Sequence, residues 1–259
     1  MTRYRVTLEY DGTGLIGWQE NRQGPSVQSI MKDAIAGFCG ARPDVVAAGR
    51  TDAGVHAAAM TAHFDLDANA DANTVMRAVN FYLTSQPVSV LSCEIVPDTF
   101  HARFDCVARH YRYVVLNRPS APVLMRGRVW WVPRKLDVGA MRAAAEKLLG
   151  HHDFTSFRAA QCQAKSPIKT LDVCHITQQG DEIIFEFSAR SFLHHMVRNI
   201  VGTLVEIGQG KPFDIDEIFA AKNRSAAGPT APACGLYFMG ADYSMDASPN
   251  SCEPVPTDK

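Results

Sequence analysis

Arg50, Thr51, Asp52 and His56 fall within one nine-residue string, GRTDAGVHA, at 49–57. Its Asp-Ala-Gly core suits a tight connection between two strands, and loops held by a rigid scaffold carry chemistry disproportionately. A carboxylate in such a loop can act as a nucleophile or stabilise charge beside a sugar or a base. It must then stay ionised, and burial opposes this unless a cation or several hydrogen bonds restore the balance. From the string alone, a turn-capping Asp52 and a surface-paired Arg50 stand as the plainer alternative.

Two further groups could complete such a site. In LHHMVRNIVGTLVEIG, 193–208, a rotation of about 100° per residue puts Arg198 at the rim of an apolar stripe, near Val205. There it either turns its guanidinium into a cleft or snorkels to water. In RHYRYVVLN, Tyr111 is either an ordinary core tyrosine or an aromatic wall of a site. His194-His195, His151-His152-Asp153, His56 and His63 show no metal spacing, since adjacent histidines on a helix diverge and no HExxH occurs. No metal and no cofactor is expected.

The elements around these residues form a repeating order. RYRVTLEYDG alternates with period two, so Tyr4, Val6, Leu8 and Tyr10 share one face of a strand. A helix capped by Ser26 follows and stops at Gly40. Then come strands from Val45 and up to Phe64, a helix over Asn73 to Leu83, and a strand over 88–96 with Leu91, Cys93 and Ile95 inward. The second half repeats the order: a strand over RHYRYVVLN, a helix from the Asp137 cap to Leu149, and strands TLDVCHITQ and EIIFEFSA joined at Gln179-Gly180-Asp181. The LHHMVRNIVG helix, an Asp214-to-Glu217 capped helix and a GLYFMGADY strand close it. The fold class is therefore α+β: two ferredoxin-like βαββαβ halves, 1–102 and 103–243, with antiparallel sheets meeting at a central basic cleft, and a polar tail over 244–259.

The chain has 259 residues, 46% of them hydrophobic, enough for a sizeable core. No run of about 18 apolar residues occurs and the start lacks a signal-peptide core, so no membrane partner is expected and a cytoplasmic location is. Seven scattered cysteines without a CxxC pair argue against a disulfide framework or a zinc ribbon. The formal net charge of −1 hides a division: residues 103–169 hold 13 Lys and Arg against 4 Asp and Glu. A basic stretch of that size can focus a polyanion on one surface. Arg103, Arg109, Arg112, Arg126, Arg128, Arg158, Lys165 and Lys169 supply it as a group.

The string at 49–57, taken with EYDGTGLIGWQ (9–19), FHARFDCVARHYRYVV (100–115), HDFTSFRA (152–159), FLHHMVRNIVG (192–202) and APACGLYF (231–238), resembles the tRNA pseudouridine synthase A family over nearly the whole chain. The resemblance implies isomerisation of uridine to pseudouridine at positions 38 to 40 of the tRNA anticodon stem-loop, base flipping, no cofactor, and a homodimer. It implies that Asp52 is the catalytic nucleophile, that Tyr111 stacks on the target uracil and helps remove its C5 proton, and that Arg198 pairs with the carboxylate. Arg50 would fill the space that the base leaves or hold phosphate, and from the basic stretch Arg103, Arg109 and Arg158 are expected to bind substrate. Met60, where the family often has Gln, and the atypical NFYLTSQP at 80–87 depart from the pattern outside the catalytic strings. A metal hydrolase and a non-catalytic RNA-binding module are the rival readings, and the second leaves Asp52 unexplained, because a carboxylate weakens an anion site unless it has a task.

Overall fold

A computed structural model describes residues 1–67 and 70–244, so the polar tail lies outside the described residues apart from Ser244. In β1 (Thr2–Tyr10) the period-two alternation buries Tyr4, Val6, Leu8 and Tyr10. Helix α1 (Val27–Cys39) opens at Ser26, whose hydroxyl accepts the Ser29 amide while the Ser29 hydroxyl accepts the Ser26 amide. It closes at Gly40 with φ 74°, a conformation that glycine adopts without steric cost. After β2 (Val46–Ala47) and β3 (His56–Leu66) come α2 (Ala72–Leu83), capped by Asp71, and β4 (Val88–Val96). Met31 and Ile35 of α1 and Val75 and Val79 of α2 are buried in one core with β1 and β3.

The second half comprises β5 (Cys106–Leu116), the short β6 (Trp130–Trp131), α3 (Val138–Glu146), β7 (Gly150–Asp153), β8 (Ile168–Leu171), β9 (Val173–Gln179), β10 (Glu182–Ala189), α4 (Met196–Gly208), α5 (Ile215–Ala221) and β11 (Leu236–Tyr243). The expected TLDVCHITQ strand is split: β8 leaves the main sheet and pairs with β7. Gly150 takes φ 95° and begins β7 instead of ending a helix, which stops earlier, at Lys147. The β9–β10 hairpin turns at Gly180, φ 59°, where the sequence signals it.

The architecture is α+β: apart from the β7–β8 pair, the strands form one nine-stranded sheet of order β4-β1-β3-β11-β5-β10-β9, with β2 beside β3 and β6 beside β5. The expectation of two separate sheets facing a cleft gives way here to edge-to-edge union. β2 covers one edge of β3 only at Ala62 and His63. The same edge is therefore open at the other end of β3, where unpaired backbone groups seek a partner. β11 supplies it in parallel, setting Tyr237 opposite His56 and Phe238 opposite Ala57.

The union is reinforced by an exchange of side chains. Val55, from the 49–57 string, is buried in the core built by α4, β5 and β10, while Phe238 is buried in the core of β1, β3 and α1. Each such side chain contributes about 1.5–3 kcal/mol of burial, so the connection carrying Asp52 is held by both cores.

Strand β4 departs from the inward reading at Leu91 and Ile95 but keeps it at Cys93. Val88 and Val90 are the buried pair, whereas Leu91 and Ile95 are 47% and 55% exposed. Leu8 pairs with Val90 and Thr7 with Ser92, so Leu91 is an extra residue that shifts the alternation. Beyond it Cys93, opposite Val6, packs partly buried against the core as expected, while Ile95, opposite Tyr4, stays exposed on the edge strand.

His63 of β3 is buried, and its Nδ1 accepts the Ala102 amide at 3.2 Å. Burial, helped by the nearby Arg3 charge, lowers its pKa to about 4 from 6.5. A group that is harder to protonate when folded destabilises the fold as protons bind the unfolded chain preferentially. Stability should thus be flat above pH 6.5 and fall progressively towards pH 4. Urea titrations across that window should show a shallower decline for His63→Gln, and an identical slope would contradict the assignment.

Candidate active site

Asp52 sits in a tight turn in which the Val55 amide donates to its carbonyl at 3.2 Å and Gly54 adopts φ 78°. The string EYDGTGLIGWQ cradles that turn. The Trp18 amide donates to Thr51 O at 3.0 Å, the Gly54 amide to Leu15 O at 3.3 Å, and the Gly12 amide to His56 Nδ1 at 3.0 Å. The approach is close enough to require glycine: a Cβ on Gly17 would stand 2.5 Å from Thr51 O, and one on Gly12 2.1 Å from Val55 O. Thr51 is buried with its hydroxyl 2.8 Å from that of Tyr10. The turn is fixed from below, leaving the Asp52 side chain 24% exposed above.

Helix α4 supplies what the carboxylate needs. Arg198 Nη1 donates to Asp52 Oδ2 at 2.9 Å, and its Nε donates to Ala231 O at 2.8 Å. The Ala231 amide donates in turn to the Arg198 carbonyl at 3.0 Å. The guanidinium is thereby aimed, and with its side chain 15% exposed it lies in a medium where charge attraction is only weakly screened. This approach depends on Gly202, where a Cβ would stand 1.7 Å from Pro229 O. Beneath it the buried Asn199 donates to Phe157 O and accepts from Arg224 and Thr230.

The two histidines do not lie on the helix, as their place in LHHMVRNIVG led us to expect. The helix begins at Met196, and His195 takes a left-handed backbone at φ 62°. This turns both imidazoles to the same side, with ring centroids 4.0 Å apart. His194 Nε2 lies 3.2 Å from Asp52 Oδ1 and His195 Nε2 lies 3.2 Å from Oδ2. Burial, resisted by the Asp52 charge, lowers the His195 pKa and favours its neutral form. The three groups offer ligand atoms within 4.8 Å of one another, the one such cluster among the described residues. Arg198 already holds Oδ2 of this carboxylate, while Oδ1 faces His194. Sequence spacing misses the pair because the feature that aims it is a single backbone torsion.

Tyr111 stands beside this group in an aromatic frame. Its ring meets Phe192 edge-on at 5.0 Å and Phe238 at 5.2 Å. Its hydroxyl faces the start of the catalytic string, 3.8 Å from where a Cβ of Gly49 would be. Burial raises its pKa, the Asp52 charge adding to the effect and Arg109 opposing it. The phenol therefore carries its proton at neutral pH.

The expected substrate-binding arginines separate into two kinds. Arg50 is exposed at the turn and makes no hydrogen bond or ion pair among the described residues. Arg103 is exposed too, its guanidinium carbon 5.7 Å from the Phe104 ring. Arg109 instead braces three backbone segments: it donates to Ala48 O at 3.0 and 2.9 Å, to Arg103 O at 2.7 Å, and to Arg190 O. Arg158 donates to Cys162 O and Ala164 O. Arg109 is thus committed through Nε, Nη1 and Nη2, whereas Arg158 uses Nη2 alone and keeps its other donors.

Two substitutions test this construction. Arg198→Met keeps much of the stem packing but removes the cation, and kcat should fall on the order of 100-fold or more with the circular dichroism spectrum unchanged. Gly202→Ala should act on the same pair from a distance, because the added methyl forces the 229–231 segment and Ala231 O away from Arg198. Full activity in either variant would contradict the aiming of Arg198.

Comparison with known proteins places these features. Residues 144–244 match a family model described as tRNA pseudouridine synthase. A relative from Paramagnetospirillum magneticum is 50% identical over 246 residues, 94% of this chain and 96% of its own length. One from Rhodospirillum centenum is 52% identical over 245 residues, 94% of this chain and all of its own length. A third, from Rhodospirillum rubrum, is 50% identical over 242 residues, 92% and 87% of the two chains. All three are named tRNA pseudouridine synthase A. With half its residues shared along almost its full length, and with Asp52, Tyr111 and Arg198 gathered at one place, this chain belongs to the tRNA pseudouridine synthase A family.

Proposed function

We propose that this enzyme isomerises uridine to pseudouridine in the anticodon stem-loop of tRNA, at positions 38 to 40, with Asp52 as the catalytic group. The observation that carries the reading is the Asp52 carboxylate, met by Arg198 at 2.9 Å and by two histidines at 3.2 Å while its side chain stays 24% exposed. The reaction breaks the bond from the ribose to N1 of uracil, turns the base, forms a bond to C5 and releases the C5 proton. A carboxylate held as an anion can assist the first step as a nucleophile or by stabilising positive charge on the sugar.

A base stacked in an RNA helix hides these atoms, so the uridine must leave the stack. Tyr111 offers the surface that receives it. Arg50, free of partners among the described residues, is placed to enter the gap or meet a phosphate. The raised Tyr111 pKa supports stacking ahead of proton removal as its main role. A non-catalytic RNA-binding module fits less well, because an anionic side chain at the centre of a polyanion site weakens binding.

The test is pseudouridine mapping in an unmodified tRNA transcript incubated with pure protein in EDTA. Modification confined to the anticodon arm is expected, whereas modification confined to another arm would contradict the assigned position. Asp52→Asn should abolish product while tRNA affinity stays equal or improves slightly, since one repulsive charge is gone. Tyr111→Phe should still bind tRNA, and turnover equal to that of the unaltered protein would assign the hydroxyl no part in the chemistry.

A further inference from the structure

One aromatic side chain stands out of the basic segment without a packing role. Phe104 is 72% exposed, although it lies within a loop that is closely tied together. Its ring rests on that of His101, with centroids 4.3 Å apart and planes 28° from parallel. The His101 ring is itself fixed, because the amides of Arg103 and Phe104 both donate to its Nδ1 at 3.2 Å. The His101 amide donates to Asp105 Oδ2 at 2.7 Å, and the Asp105 amide to His101 O at 3.1 Å. The stack therefore holds a largely exposed ring in a preset orientation, with the Arg103 guanidinium carbon 5.7 Å over it, which lowers the ordering cost of binding.

The position of this face points to its ligand. Arg109 donates to Arg103 O and to Ala48 O with the same Nη2, so the loop is fastened one guanidinium away from the strand end that leads to Arg50 and Asp52. Arg103 and Arg50, both exposed, place positive charge on this side of the cleft. An exposed aromatic flanked by cations is the arrangement that receives unstacked bases of single-stranded RNA, by stacking on the ring and by pairing with phosphate.

We propose that Phe104, supported by His101 and flanked by Arg103, is a stacking platform for one unpaired nucleobase of the tRNA substrate, distinct from the target uracil against Tyr111. The platform rests on the tRNA reading above and extends it: a second base is gripped at the rim while the first is turned in the centre. Its contribution belongs to binding, so it acts on KM and leaves the chemical step alone.

The experiment is steady-state pseudouridine formation and equilibrium tRNA binding by Phe104→Ala, Phe104→Leu and Phe104→Trp in the full-length protein. Base stacking on an aromatic ring is worth a loss of roughly 5- to 150-fold in affinity when removed. The Ala and Leu variants should raise KM and Kd by such a factor with kcat unchanged, and the Trp variant should restore both. Its added indole should also lose fluorescence on tRNA binding beyond the change seen in the unaltered protein. Equal KM in all four proteins would overturn the proposal. So would a loss of self-association in the Ala variant with tRNA affinity intact, since the face would then meet another copy of the chain. Absence of product from the unaltered protein would be a failure of the tRNA reading instead, whereas product with unchanged KM in Phe104→Ala is a failure of the platform alone.

Discussion

The arrangement depends on one ion pair between residues 146 positions apart, Asp52 and Arg198. An anion at a site only partly open to water gains from a cation held at a fixed distance. Arg198 has a second bond, to Ala231 O, that prevents it from swinging to solvent. Much of the surrounding structure is accounted for by these requirements. Gly202 lets the segment before β11 close onto α4, Gly12 and Gly17 let the first loop close beneath the catalytic turn, and Asn199 ties α4 to the loops on its other side.

The pair also explains why the two halves form a single sheet. Asp52 comes from the connection between β2 and β3, and Arg198 from a helix packed on β5 and β10. A contact at 2.9 Å across two bodies that rocked independently would be made only part of the time. The parallel pairing of β3 with β11, and the burial of Val55 and Phe238 each in the other half's core, give the two bodies one frame. Tyr111 belongs to that frame: its ring borders both cores, and Phe238, which crosses between them, forms one of its walls.

Much of this was legible in the sequence where a local rule governs. The alternation of β1, the Ser26 cap, the Gly40 stop and the Gly180 hairpin follow from side-chain period and backbone torsion preferences, and the structure shows each. The misreadings arise where one residue alters a phase or a boundary. Leu91 bulges and shifts the inward face of β4, while His195 turns left-handed and places two imidazoles on Asp52 that helical spacing would have driven apart. Long-range pairing was out of reach of periodicity altogether. Nothing local in GLYFMGADY says that it will lie beside His56, and nothing in the charge count separates Arg109, which braces backbone, from Arg103, which faces solvent. The pairing of Asp52 with Arg198 came from resemblance to the family, and the geometry supplies its physical basis.

The most direct measurement of the central claim is chemical rescue. Arg198→Ala removes the guanidinium and opens a space bounded by Asp52 Oδ2 and Ala231 O, the two acceptors it had bridged. Added guanidinium or methylguanidinium, at concentrations too low to unfold the protein, should restore part of the lost pseudouridine formation and saturate as the space fills. An ammonium salt of equal ionic strength should restore less, since it lacks the planar donors. Asp52→Asn should gain nothing from either. If Arg198→Ala retained full activity, or if rescue followed ionic strength alone regardless of the cation, the carboxylate would not depend on this partner and the account built on it would be wrong.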